Sequence, residues 1–169
     1  DEDEDEDEDD EEEIDDDEED GGDDGDEITS WAGTAWEFSG TLTQYDSDDG
    51  TQSGPATFSI EFPESGGVNI MVVAGEHSAP IMEGDIKIEE TVNGVIITNS
   101  GSETIRDSEG SHTDRWSATW RLTRTSATQA TMDYSSQNNW NGSYYVGTNQ
   151  YTYSGTTISS GQFTGKRTK

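Results

Sequence analysis

Cysteine is absent from the 169-residue chain. That excludes disulfides, thiolate nucleophiles and cysteine-ligated zinc or iron–sulfur centres. Basic side chains are scarce: 8 Lys and Arg stand against 39 Asp and Glu, for a formal net charge of −31. Binding to a phosphate backbone relies on Lys and Arg to release its counterions, so no nucleic-acid partner is expected, and anionic lipid surfaces are disfavoured for the same reason. No apolar run approaches the roughly 20 residues that a membrane-spanning helix needs. The two histidines, His77 and His112, have no second imidazole at ligand spacing. Both read as solvated side chains, and neither a metal nor a cofactor is expected. No nucleophile elbow, phosphate-binding loop or His-Glu-x-x-His occurs. Glu37, Glu61, Glu89 and Asp133 sit beside apolar neighbours as an acid–base pair would, but their parity points them to the wet face. The chain therefore reads as non-enzymatic.

The charge is concentrated at one end. Residues 1–27 hold 23 of the 39 acids and no base, whereas the other 142 residues carry 16 acids and 8 bases. Self-repulsion and the near absence of apolar groups prevent the first segment from forming a core, so 1–27 is expected to be a disordered acidic tail. Residues 28–169 have the size and composition of one domain. The tail attracts divalent cations only diffusely, without a preorganised site.

Leucine is rare and Thr, Ser and Gly are abundant in the body. No stretch sustains a 3.6-residue apolar period, but several alternate with period two. Trp36, Phe38, Gly40 and Leu42 form one such series; Ala56, Phe58, Ile60 and Phe62 form another. Trp116, Ala118, Trp120 and Leu122, and then Ala130, Met132 and Tyr134, continue the pattern. Each predicts a strand with one face inward. Asn93-Gly94 predicts a two-residue type I′ hairpin. Asp46–Gly50, Glu64–Gly67 and Asn138–Gly142 predict further breaks. Asp46–Gly50 also looks faintly like a calcium loop, but it lacks the Gly and Glu that such a loop requires at its sixth and twelfth positions. The expected architecture is all-β and antiparallel, with about nine or ten strands in a barrel or a β-sandwich.

Gly33 and Trp36 precede the first long strand, and the chain closes on Gln162-Phe-Thr-Gly-Lys-Arg-Thr-Lys169. These two ends resemble the lipocalin-like (calycin) barrels. Such barrels open on a Gly-x-Trp motif whose Trp is crossed by a basic residue from near the last strand. Here two residues separate Gly33 from Trp36, where the motif has one. The resemblance implies a single cup-shaped barrel closed by Trp36 with Lys166 or Arg167. It further implies a monomer that holds a small apolar or amphipathic ligand, with Trp36, Phe38, Trp116 and Trp120 as floor or wall. The acidic run is similar to that of bacterial surface lipoproteins, which carry one just after a lipidated cysteine. That likeness implies a lipid anchor upstream of residue 1 and an extracytoplasmic location at a bacterial cell surface.

A second reading comes from the residues between 134 and 153, where aromatic and amide side chains mix. Sugars stack their CH faces on rings while amides read their hydroxyls, so Trp140, Tyr144, Tyr151 and Tyr153 are candidate carbohydrate-binding residues. Tyr151 and Tyr153 share one strand face, as a platform requires. The plainer alternative is that Tyr is a good strand former and Asn a good turn former. A third reading is a structural or inhibitory surface protein without a pocket. The direction of the aromatic side chains separates the three.

Overall fold

A computed structural model describes residues 30–80 and 84–169; the acidic segment 1–27, expected to be disordered, lies outside them. The described residues form nine strands: β1 (Thr34–Asp46), β2 (Gly50–Phe62), β3 (Asn69–Ala74), β4 (His77–Pro80), β5 (Asp85–Thr91), β6 (Gly94–Arg106), β7 (Gly110–Arg124), β8 (Gln129–Val146) and β9 (Asn149–Arg167). No helix occurs among them, so none is long and apolar enough to cross a membrane. All nine strands belong to one antiparallel sheet in the order β4-β3-β2-β1-β9-β8-β7-β6-β5. The first and last strands meet in the middle, Trp36 opposite Arg167, and the edges are the consecutive strands β4 and β5.

The sheet curls into a half-barrel. Phe58 on β2 and Tyr134 on β8 are three strand spacings apart, roughly 14 Å in a flat sheet. Their ring centroids nevertheless lie 4.9 Å apart, across the interior. Phe163 of β9 meets Phe58 edge-on at 5.0 Å. Around these rings pack Trp31, Trp36, Phe38, Ile60, Ile97, Trp120 and Leu122, all buried. The four alternating series therefore supply the core, as their parity predicts. Burying each large side chain contributes roughly 1.5–3 kcal/mol. Trp31 plugs the end of this core, 5.1 Å from Trp36 and 5.3 Å from Phe62, and the Arg124 guanidinium covers it at 4.4 Å. Burial, and then the like charge of Arg167, lower the Arg124 pKa from its usual value.

Three local expectations need correction. The hairpin at Asn93-Gly94 forms, but its turn is Val92-Asn93, with Thr91 opposite Gly94. No non-glycine residue among those described has positive φ, so the turn is not type I′. The shifted register sets Ile88 against Ile97, whereas the I′ register would set Glu90 there. Gly94 is needed for another reason: a Cβ on it would run into the Leu122 carbonyl oxygen. Second, Asn138–Gly142 is not a break but the middle of β8. There Asn138 donates to Asp114, Asn139 accepts from Thr156, and the Tyr153 ring lies over Gly142. Tertiary pairing thus overrides the local turn preference. Third, the sequence predicts no strand between β3 and β5, yet short β4 lies there, carrying no alternation signal. The Asp46–Gly50 segment is the expected hairpin turn, in which the Asp46 carboxylate accepts from the Asp48 backbone N–H at 2.9 Å.

The strands differ greatly in length. β3 and β4 have 6 and 4 residues, against 15, 18 and 19 in β7, β8 and β9. The long strands project past the core as a ribbon with no opposing wall among the described residues, and Tyr144, Tyr151 and Tyr153 on its inner face stay exposed.

Candidate functional site

Parity decides what the open ribbon presents. On β8 the inward series Met132 and Tyr134 continues through Asn138, Trp140, Gly142 and Tyr144. On β9, opposite these, lie Thr157, Gly155, Tyr153 and Tyr151. Trp140, Tyr144, Tyr151 and Tyr153 therefore all share the face that lines the core. Tyr144 stacks on Tyr151 at 5.5 Å with their planes 18° apart, and it approaches Tyr153 at 6.3 Å. Tyr144, Tyr151 and Tyr153 are 47%, 45% and 39% exposed, and Trp140 is half-buried.

Glycine makes the rings lie flat. Trp140 sits directly opposite Gly155, Tyr153 opposite Gly142 and Trp116 opposite Gly101. In each pair a Cβ on the glycine would collide with the facing ring. The aromatic side chain can thus fold across the neighbouring strand, covering backbone that a side chain would otherwise shield.

β7 adds polar groups to this face. His112 stacks on Tyr153 at 5.8 Å, its Nδ1 lies 2.8 Å from the Tyr153 hydroxyl, and its Nε2 lies 2.7 Å from Asp114. One tautomer satisfies both contacts: Nε2–H donates to Asp114 while Nδ1 accepts from Tyr153. The other Asp114 oxygen accepts from the Asn138 amide at 3.3 Å. A chain of hydrogen bonds therefore runs Tyr153–His112–Asp114–Asn138 across three strands. Glu103 of β6 faces Asp114 directly. A hollow of about 170 Å³ lies where Ile105, His112, Tyr144 and Tyr153 meet.

The other predicted residues lie elsewhere. Trp36 and Phe38 are 1% and 0% exposed within the aromatic cluster, and the Trp36 indole donates to Thr34. Trp120 is also fully buried, but it borders a slot between the sheet edges. Trp116 is half-buried, donates to Asn99 at 3.2 Å and borders a depression of about 640 Å³ with Glu103. Arg167 is set opposite Trp36 and Lys166 opposite Glu37, but the cation over the Trp36 ring is Arg124, at 5.8 Å. Glu37, Glu61, Glu89 and Asp133 are exposed on the outer face. That face also holds a broad depression of about 790 Å³, rich in Ser and Thr.

The sequence reading took His112 for a solvated side chain and Asn138 for part of a break, whereas both belong with Asp114 to one hydrogen-bonded chain. Stepping back by twos from Trp120 and Trp116 reaches Asp114 and His112, so the β7 parity held that signal. The pairing with Asn138 depended on the β7–β8 register, which no local pattern reveals. No group of three or more His, Cys, Asp or Glu among the described residues could hold a metal ion. Comparison of the chain with protein-family models, with curated proteins and with solved structures finds no match.

Proposed function

We propose that this is a non-enzymatic binding protein whose open inner face holds a carbohydrate. One observation carries the reading: Trp140, Tyr144, Tyr151 and Tyr153 share a single face beside the His112–Asp114–Asn138 chain. Rings of this kind stack on the apolar faces of a pyranose, and imidazole, carboxylate and amide groups exchange hydrogen bonds with its hydroxyls. The carboxylates of Glu103 and Asp114, in a chain of net charge −31, favour an uncharged glycan over a polyanionic one. The half-exposed rings lose little mobility on binding, which suits a modest affinity summed over several sugar units.

The test is retention on immobilised neutral polysaccharides, followed by titration with soluble oligosaccharides. The Tyr151→Ala/Tyr153→Ala double variant should lose at least tenfold in affinity while keeping its β-sheet spectrum. If the unaltered protein retains no neutral glycan, or the variant binds equally well, the reading fails and a structural or inhibitory surface role replaces it. The reading extends to display outside the cell, with the acidic segment as a repelling spacer. Protease shaving of intact cells should then remove the protein.

A further inference from the structure

The unequal strand lengths leave open edges inside the sheet as well as at its two ends. β1 ends at Asp46, opposite Thr157, so among the described residues no strand pairs with residues 149–156 of β9 on that side. Residues 149–154 are all exposed. Thr156 fixes which way the main chain faces there. Its C=O accepts from the Ser47 N–H at 3.0 Å, and its N–H donates to the Ser47 hydroxyl at 3.1 Å. Main-chain groups alternate in direction along a strand, so Ser154, Thr152 and Gln150 aim their N–H and C=O the same way, into the notch beyond the β1–β2 turn.

Exposed main-chain groups are a template for pairing with another chain, and proteins guard such edges with charge, with proline or with ionised side chains on the inward face. The other edge segments carry these guards. Pro80 lies on β4, and Pro55 on the part of β2 that runs past β3. Asp85, Lys87 and Glu89 lie on β5, and Glu103 lies on the core face of β6 where β5 has ended. Asn149-Gln-Tyr-Thr-Tyr-Ser-Gly155 carries neither charge nor proline. It is also self-complementary. Antiparallel pairing about Thr152 sets Gln150 against Ser154 and Thr152 against its own copy, and each of these pairs exchanges both N–H···O bonds. The same register sets Tyr151 against Tyr153 on the core face, an aromatic cross-strand pair, and brings no like charges together.

We infer that this edge binds a second copy of the chain, β9 to β9, with the two-fold axis at Thr152. The β6–β9 ribbons of the two copies then join into one sheet, and Tyr151 and Tyr153 from both line a single inner face. The interface is isologous, because the same edge serves each copy, so it closes as a dimer and does not extend into a filament. Two chains of net charge −31 repel each other, so the dimer tightens as salt rises.

The test uses the full chain. Sedimentation equilibrium over a concentration series, at low and raised salt, should report a monomer–dimer equilibrium. Thr152→Lys sets two cations against each other at the axis, on an already exposed position, and should weaken the dimer at least tenfold with the β-sheet spectrum unchanged. Gln52→Lys, on the β2 edge, should leave the dimer as it is. The chain has no cysteine, so Thr152→Cys reports the axis directly. Hydrogen-bonded antiparallel pairs hold their Cα atoms ~5.5 Å apart, within disulfide reach, so mild oxidation should give a covalent dimer that Gln52→Cys does not give. A chain that stays monomeric at every concentration and salt overturns the proposal. So does a dimer that Thr152→Lys leaves intact or that Thr152→Cys fails to cross-link. Glycan retention plays no part in these readouts, so failure here leaves the glycan reading standing.

Discussion

The same strands behave differently at their two ends. At the core end the inward rings meet one another: Phe58 touches Phe163 and Tyr134, and Trp31 touches Trp36 and Phe62. At the far end Tyr144 stacks on Tyr151 and approaches Tyr153, Trp140 and Tyr153 lie across glycines of the neighbouring strand, and these rings stay half-buried or exposed. The alternation of apolar and polar positions is common to both. What differs is the opposite wall. Rings from β2 and β8 meet across the core, but past Asn99 and Tyr134 no described residue stands opposite the long ribbon, where Tyr144, Tyr151 and Tyr153 stay exposed. Period-two alternation therefore specifies a face, and strand length decides whether that face becomes a core or a platform.

Substitutions at matched positions sharpen this contrast. The largest expected effect is Phe58→Ala, which empties a site bordered by rings from β8 and β9 and should cost about 3–5 kcal/mol in denaturant unfolding. Tyr144→Ala removes a ring of similar size from the ribbon and should change stability by only about 0.5–1 kcal/mol. Equal losses would mean that the ribbon is cooperatively part of the core. Glycine pairs refine the comparison further. A Cβ on Gly165 would strike the Phe38 ring, and one on Gly155 the Trp140 ring. Phe38 is fully buried and cannot yield, so Gly165→Ala should cost about 3 kcal/mol. Trp140 is half-buried and can swing outward, so Gly155→Ala should cost about 1 kcal/mol while weakening glycan retention several-fold. Thermal melts and retention assays on the two variants check both halves.

The core end was largely legible in the sequence, because its alternation is written in strong apolar residues such as Trp36, Phe58, Ile60 and Leu122. The all-β antiparallel class followed from the same rule, whereas Trp140, Tyr144, Tyr151 and Tyr153 stood out by their mixture with amide side chains. What escaped was non-local. The β8 path through Asn138–Gly142 depends on partners from β7 and β9, and local turn chemistry predicted a break there. The Val92-Asn93 turn depends on Ile88 meeting Ile97. Arg124 over Trp31 joins residues far apart in sequence, as does the His112–Tyr153 contact. The slot beside Trp120 needs the sheet order, which puts consecutive strands on opposite edges.

The smallest expected effect lies at the border between the two regions, at Tyr134. Its ring contacts Phe58 and Trp120, so it marks where the packed rings stop. Burial raises the Tyr134 phenol above its ordinary value near 10, an effect only partly offset by its hydrogen bond with Ser136. The folded chain therefore holds this proton more tightly than the unfolded chain does. Stability from this source is fully present below the unfolded pKa near 10, and it declines as pH rises from there through the raised folded value. Urea midpoints should accordingly be flat in this respect up to about pH 9 and fall at higher pH. Tyr134→Phe keeps the ring contacts and removes the titrating hydroxyl, so its alkaline slope should be shallower than that of the unaltered protein. If the two slopes coincide, Tyr134 is hydrated in solution and the border between core and platform lies deeper, at Trp120.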